Sequence, residues 1–220
     1  MAQSANEPAS TAPRRAGPSK ISAYASAIAV VFSGYSLFET SLRQPDLTVF
    51  VPPVIQYSSP YQNSNFEVLA IPVTILNEGA RTGTILSMDL TVQDAAKTKT
   101  KLFYSADLGN WTMEKARGFG LKPFSPIALA GKASQTEVIL FYPRREETVQ
   151  QLVNEVGSYR FTLQLNTARA EDFWLLDRLW QHPPKPVSFE MTLPVLDHRA
   201  FNTGTLPMYQ KDFQTTVGDK

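Results

Sequence analysis

The stretch LAIPVTILNEGARTGTILSMDLTV, residues 69–92, limits what this chain can fold into more than any other. Leu69, Ile71, Val73 and Ile75 recur at every second position, and Leu86, Met88, Leu90 and Val92 repeat the pattern. Side chains with period two lie on one face of an extended strand, so each run predicts a strand with one buried and one wet face. Phe161, Leu163 and Leu165 alternate in the same way, as do Val187, Phe189, Met191 and Leu193. Segments 47–56, 100–106, 124–129 and 136–142 are further candidates. About eight short strands with turn residues between them predict a mainly-β domain, an antiparallel sandwich over residues 46–195. Pro52-Pro53 bends or ends the first strand, which suits an edge.

Two short helices are expected to interrupt the strands. In EETVQQLVNEV, residues 146–156, Val149, Leu152, Val153 and Val156 fall at helical spacing, and Gly157 is placed to stop the helix. In AEDFWLLDRLWQ, residues 170–181, Phe173, Leu176 and Trp180 share a face flanked by Trp174, and Pro183-Pro184 ends the segment. This aromatic helix reads either as cover for an open sheet edge or as a partner-contact surface built from Phe173, Trp174, Leu176 and Trp180. From 196 to 220 the sequence is polar and reads as a C-terminal arm.

The centre of the opening stretch, NEGARTG, invites comparison with a phosphate loop. Such a loop needs a lysine after its second glycine and a helix behind it. Here Gly79 and Gly83 are separated by only three residues, no lysine is present, and a strand follows. Asn77, Gly79 and Gly83 are therefore structural turn residues, giving the backbone freedom for a hairpin connection.

Residues 21–38, ISAYASAIAVVFSGYSLF, carry no charge, and as a helix they span about 27 Å, close to a bilayer core. A buried soluble helix and a cleaved signal peptide compete with a retained anchor over 21–42. No small-x-small cleavage site follows the run, which favours the anchor. Arg14, Arg15 and Lys20 precede it, behind a Pro-, Ser- and Ala-rich stretch read as a disordered tail over 1–20. The positive-inside rule then leaves the N-terminus cytoplasmic and the bulk of the chain outside. Ala25, Ala29 and Ser33 recur every fourth residue beside a second small-residue row ending near Gly34. Such stripes let another helix approach closely in lipid, so integral membrane subunits are the expected partners.

FEVLAIPVTILNEGARTGTILSMDLTV, followed by PFSPIALAGKASQTEVILFYP, resembles a group of bacterial single-pass membrane-anchored proteins. They carry an immunoglobulin-like domain of the late-embryogenesis-abundant and adhesion-module kind. The resemblance rests on the strand ending Asn77-Glu78-Gly79, the Arg81-Thr82-Gly83 turn, and Gly131 before the strand Val138–Tyr142. It implies an immunoglobulin-like β-sandwich and places Tyr159 of GSYRFTLQL where a tyrosine corner would sit. It supplies no catalytic residues.

Net charge is +1, with 21 basic and 20 acidic residues, and no basic stripe is present, so a nucleic-acid partner is not expected. The absence of cysteine rules out disulfides and thiolate chemistry. His182 and His198 have no ligand-spaced companions, and the paired carboxylates Glu146-Glu147 and Glu171-Asp172 suit helix starts. No catalytic, cofactor or metal site is expected. The sequence reads as a non-enzymatic accessory or scaffold subunit of a bacterial inner-membrane complex, with its β domain in the periplasm. The alternative is an envelope module that recognises a glycan, lipid or peptide. It would use Tyr57, Tyr61, Trp111 and Phe119 in loops 57–65 and 107–123.

Overall fold

A computed structural model describes residues 20–59, 67–94, 96, 98–110, 120–144, 151–168, 184–196 and 205–211. The chain divides into two units, Met1–Ser41 and Leu42–Lys220. The first contains α1 (Lys20–Leu37), which runs into a π-helical turn, Phe38–Leu42. None of the α1 side chains is buried. The 23-residue run Lys20–Leu42 is long and apolar enough to cross a membrane.

The second unit is built from eleven strands: β1 (Leu47–Phe50), β2 (Val54–Ser58), β3 (Val68–Asn77), β4 (Gly83–Gln93), β5 (Thr100–Leu108), β6 (Lys122–Pro123), β7 (Ile127–Leu129), β8 (Ser134–Pro143), β9 (Gly157–Thr167), β10 (Val187–Leu193) and β11 (Leu206–Gln210). All pairings are antiparallel. Eight strands close on themselves in the order β2-β3-β8-β5-β4-β9-β10-β11, and β11 returns to β2 through Leu206 opposite Tyr57 and Tyr209 opposite Val54. The sheet is thus a closed barrel, and the expected immunoglobulin-like sandwich is corrected.

Two pairings make the difference. A sandwich keeps two sheets with free edges, whereas here β5 pairs with β4 on one side and β8 on the other. β11 bridges β10 and β2 from within the segment 196–220, read above as a polar arm. Closure removes most edges. The short strands β1, β6 and β7 remain outside the ring, on β3, β5 and β4 respectively. Pro52-Pro53 separates β1 from β2, so the two share β3 in succession.

Alternation places the side chains as the period-two reading requires, with one exception. Leu69, Ile71, Val73 and Ile75 all point into the barrel and are fully buried. On β4, Ile85, Met88, Leu90 and Val92 are buried, while Leu86 is about half exposed at 48%. A bulge between Ile85 and Ser87 in the pairing with β9 inserts one residue and flips the phase there. An eight-stranded barrel has an interior just wide enough for side chains to fill, and here Phe103, Phe141, Phe161 and the aliphatic rows fill it. On the outside, Val68, Ala70, Leu140 and Tyr142 form a second apolar cluster on β3 and β8, packed by Leu121.

Among the described residues the only helical run of any length is α1 with its π turn. Residues 151–156, the second half of the anticipated 146–156 helix, are irregular; Leu152 and Val153 go into the core instead. Their apolarity reflects plugging of the barrel end and not a helical stripe. The expected helix 170–181 lies outside the described residues.

Candidate functional site

The two ends of the barrel differ in chemistry. At the end away from β1, Glu67 sits just before β3 with its carboxylate fully buried. It accepts from Lys101 Nζ at 2.5 Å, from Tyr57 Oη at 2.9 Å, and from the backbone N–H groups of Leu152 and Val153 at 3.1 Å. Tyr57 Oη also lies 3.2 Å from the Val153 carbonyl, and Gln151 Nε2 donates to that carbonyl at 2.7 Å. Lys101 belongs to β5 in the inward phase with Phe103, and its ammonium stands 5.8 Å from that ring centroid. Burial, with the Glu67 charge added, pushes the Tyr57 hydroxyl well above the ordinary phenol range. The network draws β2, β3, β5 and the 151–153 segment together, and it closes the barrel's end with satisfied polar groups.

At the other end, the side chain of Asn77 is buried and serves backbone only. Its Oδ1 accepts from Gly79 N at 3.0 Å and Asp46 N at 3.2 Å; its Nδ2 donates to the carbonyls of Arg81, Leu129 and Ala130 at 2.8–3.1 Å. The strap 43–46 is held against the same turn: Glu78 N donates to Asp46 O at 2.8 Å, and Ala80 N and Arg81 N to Arg43 O at 3.0 and 3.2 Å. A Cβ on Gly79 would collide with the Gln44 carbonyl, and one on Gly131 with the Ala80 carbonyl. Glycine is required at these two places by close backbone approach. Asn77, Gly79 and Gly83 therefore form a turn that also receives the incoming chain, but not the expected hairpin: β3 pairs with β1, β2 and β8 and β4 with β5, β7 and β9, so the turn links two strands that are not neighbours.

A third feature lies on the outer wall. Register places Gln164, Asp89, Tyr104 and Tyr142 in one row across β9, β4, β5 and β8. Tyr104 is 42% exposed, and Tyr142 meets it edge to face at 6.4 Å. Arg144 Nη2 reaches Asp89 Oδ1 at 2.9 Å, and Asn166 Nδ2 donates to Asp89 Oδ2 at 2.8 Å.

The residues singled out in the sequence are distributed as follows. Ala25, Ala29, Ser33 and Gly34 are exposed on α1, and nothing lies within 4 Å of a Cβ built on Gly34. Phe173, Trp174, Leu176 and Trp180 lie outside the described residues, as do His182, His198, Tyr61, Trp111 and Phe119. Tyr57 is a fully buried β2 residue in the Glu67 network, so it cannot stack on a ligand from a loop. Tyr159, near the start of β9, donates from its hydroxyl to the Glu155 carbonyl at 2.7 Å. Among the described residues no group of three His, Cys, Asp or Glu is placed to hold a metal. Sequence reasoning missed Glu67 and Lys101. The available signal was phase: Lys101 shares the inward register of Phe103 and Ser105, an unusual place for an ammonium.

The class these observations define is a filled, closed antiparallel barrel preceded by one helix able to span a membrane. No protein-family model matches the sequence, and no curated protein matches it. Among solved structures the chain is similar to a Bordetella pertussis protein described as ApaA, at 13% identity and a TM-score of 0.32, over 77% of this chain and 97% of that one. A likeness that remote carries no argument about fold or activity.

Proposed function

We propose that this protein is a non-enzymatic accessory or scaffold subunit of a bacterial inner-membrane complex. It is anchored by α1 with its N-terminus in the cytoplasm, and its barrel stands in the periplasm against partner subunits. The observation that carries this reading is the apolar run Lys20–Leu42, with no buried side chain in α1, leading into a domain whose interior is filled. Among the described residues the barrel interior is packed with its own side chains, which favours action through the outer surface. Retention of the helix is supported by the strap: residues 43–46, where a processing enzyme would need an extended accessible chain, are tied to the Asn77 turn. The basic residues before α1 support the orientation.

Extraction of the full chain from native membranes with a mild detergent, followed by pull-down, should recover integral membrane proteins at fixed stoichiometry. Ala29→Leu combined with Ser33→Leu should weaken that recovery, because bulk on the small-residue face prevents close helix approach. A monodisperse monomer under these conditions overturns the proposal.

A further inference from the structure

The outer wall across β9, β4, β5 and β8 carries an aromatic pair beside a bonded row of polar side chains. Tyr104 points away from the core, is 42% exposed as a residue, and is braced edge-on by Tyr142, whose own hydroxyl donates to Asp107 at 2.6 Å. Beside this ring the Asp89 carboxylate sits opposite Tyr104 in the strand pairing. Asp89 is held from both sides, by Arg144 Nη2 and by Asn166 Nδ2, and Asn166 also donates to Ser87 Oγ at 2.9 Å. Asp89 and Asn166 belong to the neighbouring strands β4 and β9. Arg144 follows β8, on the other side of β5, so its guanidinium crosses β5 to reach Asp89. The result is one aromatic face next to a fixed row of planar polar groups, with lone pairs and N–H donors left over after their mutual bonds.

We propose that this face binds a neutral polysaccharide chain. The pyranose ring presents an apolar face of C–H groups that packs flat on an exposed aromatic ring, while its hydroxyls radiate in the plane and need both donors and acceptors alongside. Tyr104 supplies the first, and Asp89, Asn166 and Arg144 supply the second. Charge narrows the type of glycan: the Asp89 and Asp107 carboxylates against the one Arg144 guanidinium leave the face slightly acidic, so it disfavours a phosphate or an anionic chain. Shape decides its length. The residues lie across four strands on an outer wall, which suits an extended chain lying along the surface. The inference does not rest on the accessory-subunit reading.

The test uses the full chain in a detergent without a sugar headgroup, titrated with cellohexaose, chitohexaose and maltohexaose and followed by saturation-transfer NMR. At least one hexasaccharide should bind saturably, Tyr104→Ala should weaken it by about tenfold, and Tyr104→Phe should retain it because the ring remains. Asp89→Asn should weaken binding while circular dichroism stays unchanged. Absence of binding to all three sugars, or equal binding by Tyr104→Ala, overturns the proposal. So does a Tyr104→Ala chain that loses a co-purifying protein while the parent binds no sugar, since the face would then be a protein contact.

Discussion

At the end of the barrel nearest the strap, Asn77 satisfies five backbone groups with a neutral amide. At the opposite end, Glu67 ties down two backbone N–H groups with a carboxylate, which then requires Lys101 and Tyr57 for company. Both ends are irregular backbone closing over an apolar interior, and both must leave no buried polar group without a partner. The neutral solution fails gradually when disturbed, because each lost bond strands one group. The ionic solution fails abruptly, because removing either charge strands the other in a place water does not reach.

The largest effect is expected from splitting that pair. Lys101→Met should destabilise the barrel by about 3–5 kcal/mol, the usual cost of an uncompensated buried charge. Lys101→Met with Glu67→Gln should recover a substantial part of that loss, since no net charge is then buried. Urea unfolding of the parent, the single and the double variants gives the coupling directly. If Lys101→Met and the double variant unfold at the same midpoint, the ionic end behaves like the neutral one and the contrast between them is gone.

At the neutral end, Asn77→Leu removes every bond of the side chain and should cost about 2–4 kcal/mol, since several of the stranded groups can turn toward solvent or toward one another. Gly79→Ala tests the same end from the side of space. Its Cβ meets the Gln44 carbonyl, so the strap must shift, at about 1–3 kcal/mol. Both changes should also raise hydrogen exchange at Glu78, Ala80 and Arg81, whose N–H groups are bonded to the strap. Exchange unchanged at those three amides would show that the turn does not hold residues 43–46.

This contrast was only half visible in the sequence. The turn at the neutral end was legible, because Asn-x-Gly flanked by alternating apolar residues is a turn signal with a local cause, but the hairpin read there was not formed, since β3 and β4 pair with other strands. The strands were legible for the same reason, up to the bulge at Ile85–Ser87 that turned Leu86 outward. What stayed hidden was non-local. Closure depends on β5 pairing on both sides and on β11, whose Leu206 and Met208 alternate for only five residues around Pro207, in a polar stretch. Leu152 and Val153 mimic a helical stripe while in fact plugging an end. The partners Glu67 and Lys101 are 34 positions apart, and nothing near either names the other. Buried pairs of this kind are specified by topology, which a single sequence read without closure does not deliver. The outer row of Gln164, Asp89, Tyr104 and Tyr142 was invisible for the same reason, since it exists only once four strands are in register.

The smallest expected effect comes from the hydroxyl of Tyr57 and sharpens the ionic side of the comparison. Burial raises its folded-state ionisation above that of the unfolded chain, whose phenol titrates near 10. Above that pH the unfolded state releases a proton that the folded state keeps, so the native chain binds more protons and stability falls as pH rises. The contribution is whole below about pH 10 and declines through the alkaline range. Tyr57→Phe should cost about 1–2 kcal/mol at neutral pH, from the lost bond to Glu67, and should flatten the alkaline decline in a series of urea midpoints between pH 8 and pH 11. Tyr159, whose hydroxyl is raised chiefly by burial, gives a decline of the same sign. The assignment to Tyr57 therefore stands only if Tyr57→Phe flattens the profile in a Tyr159→Phe background as well. An unaltered slope there would mean that the phenol over Glu67 is not what couples this barrel to alkali.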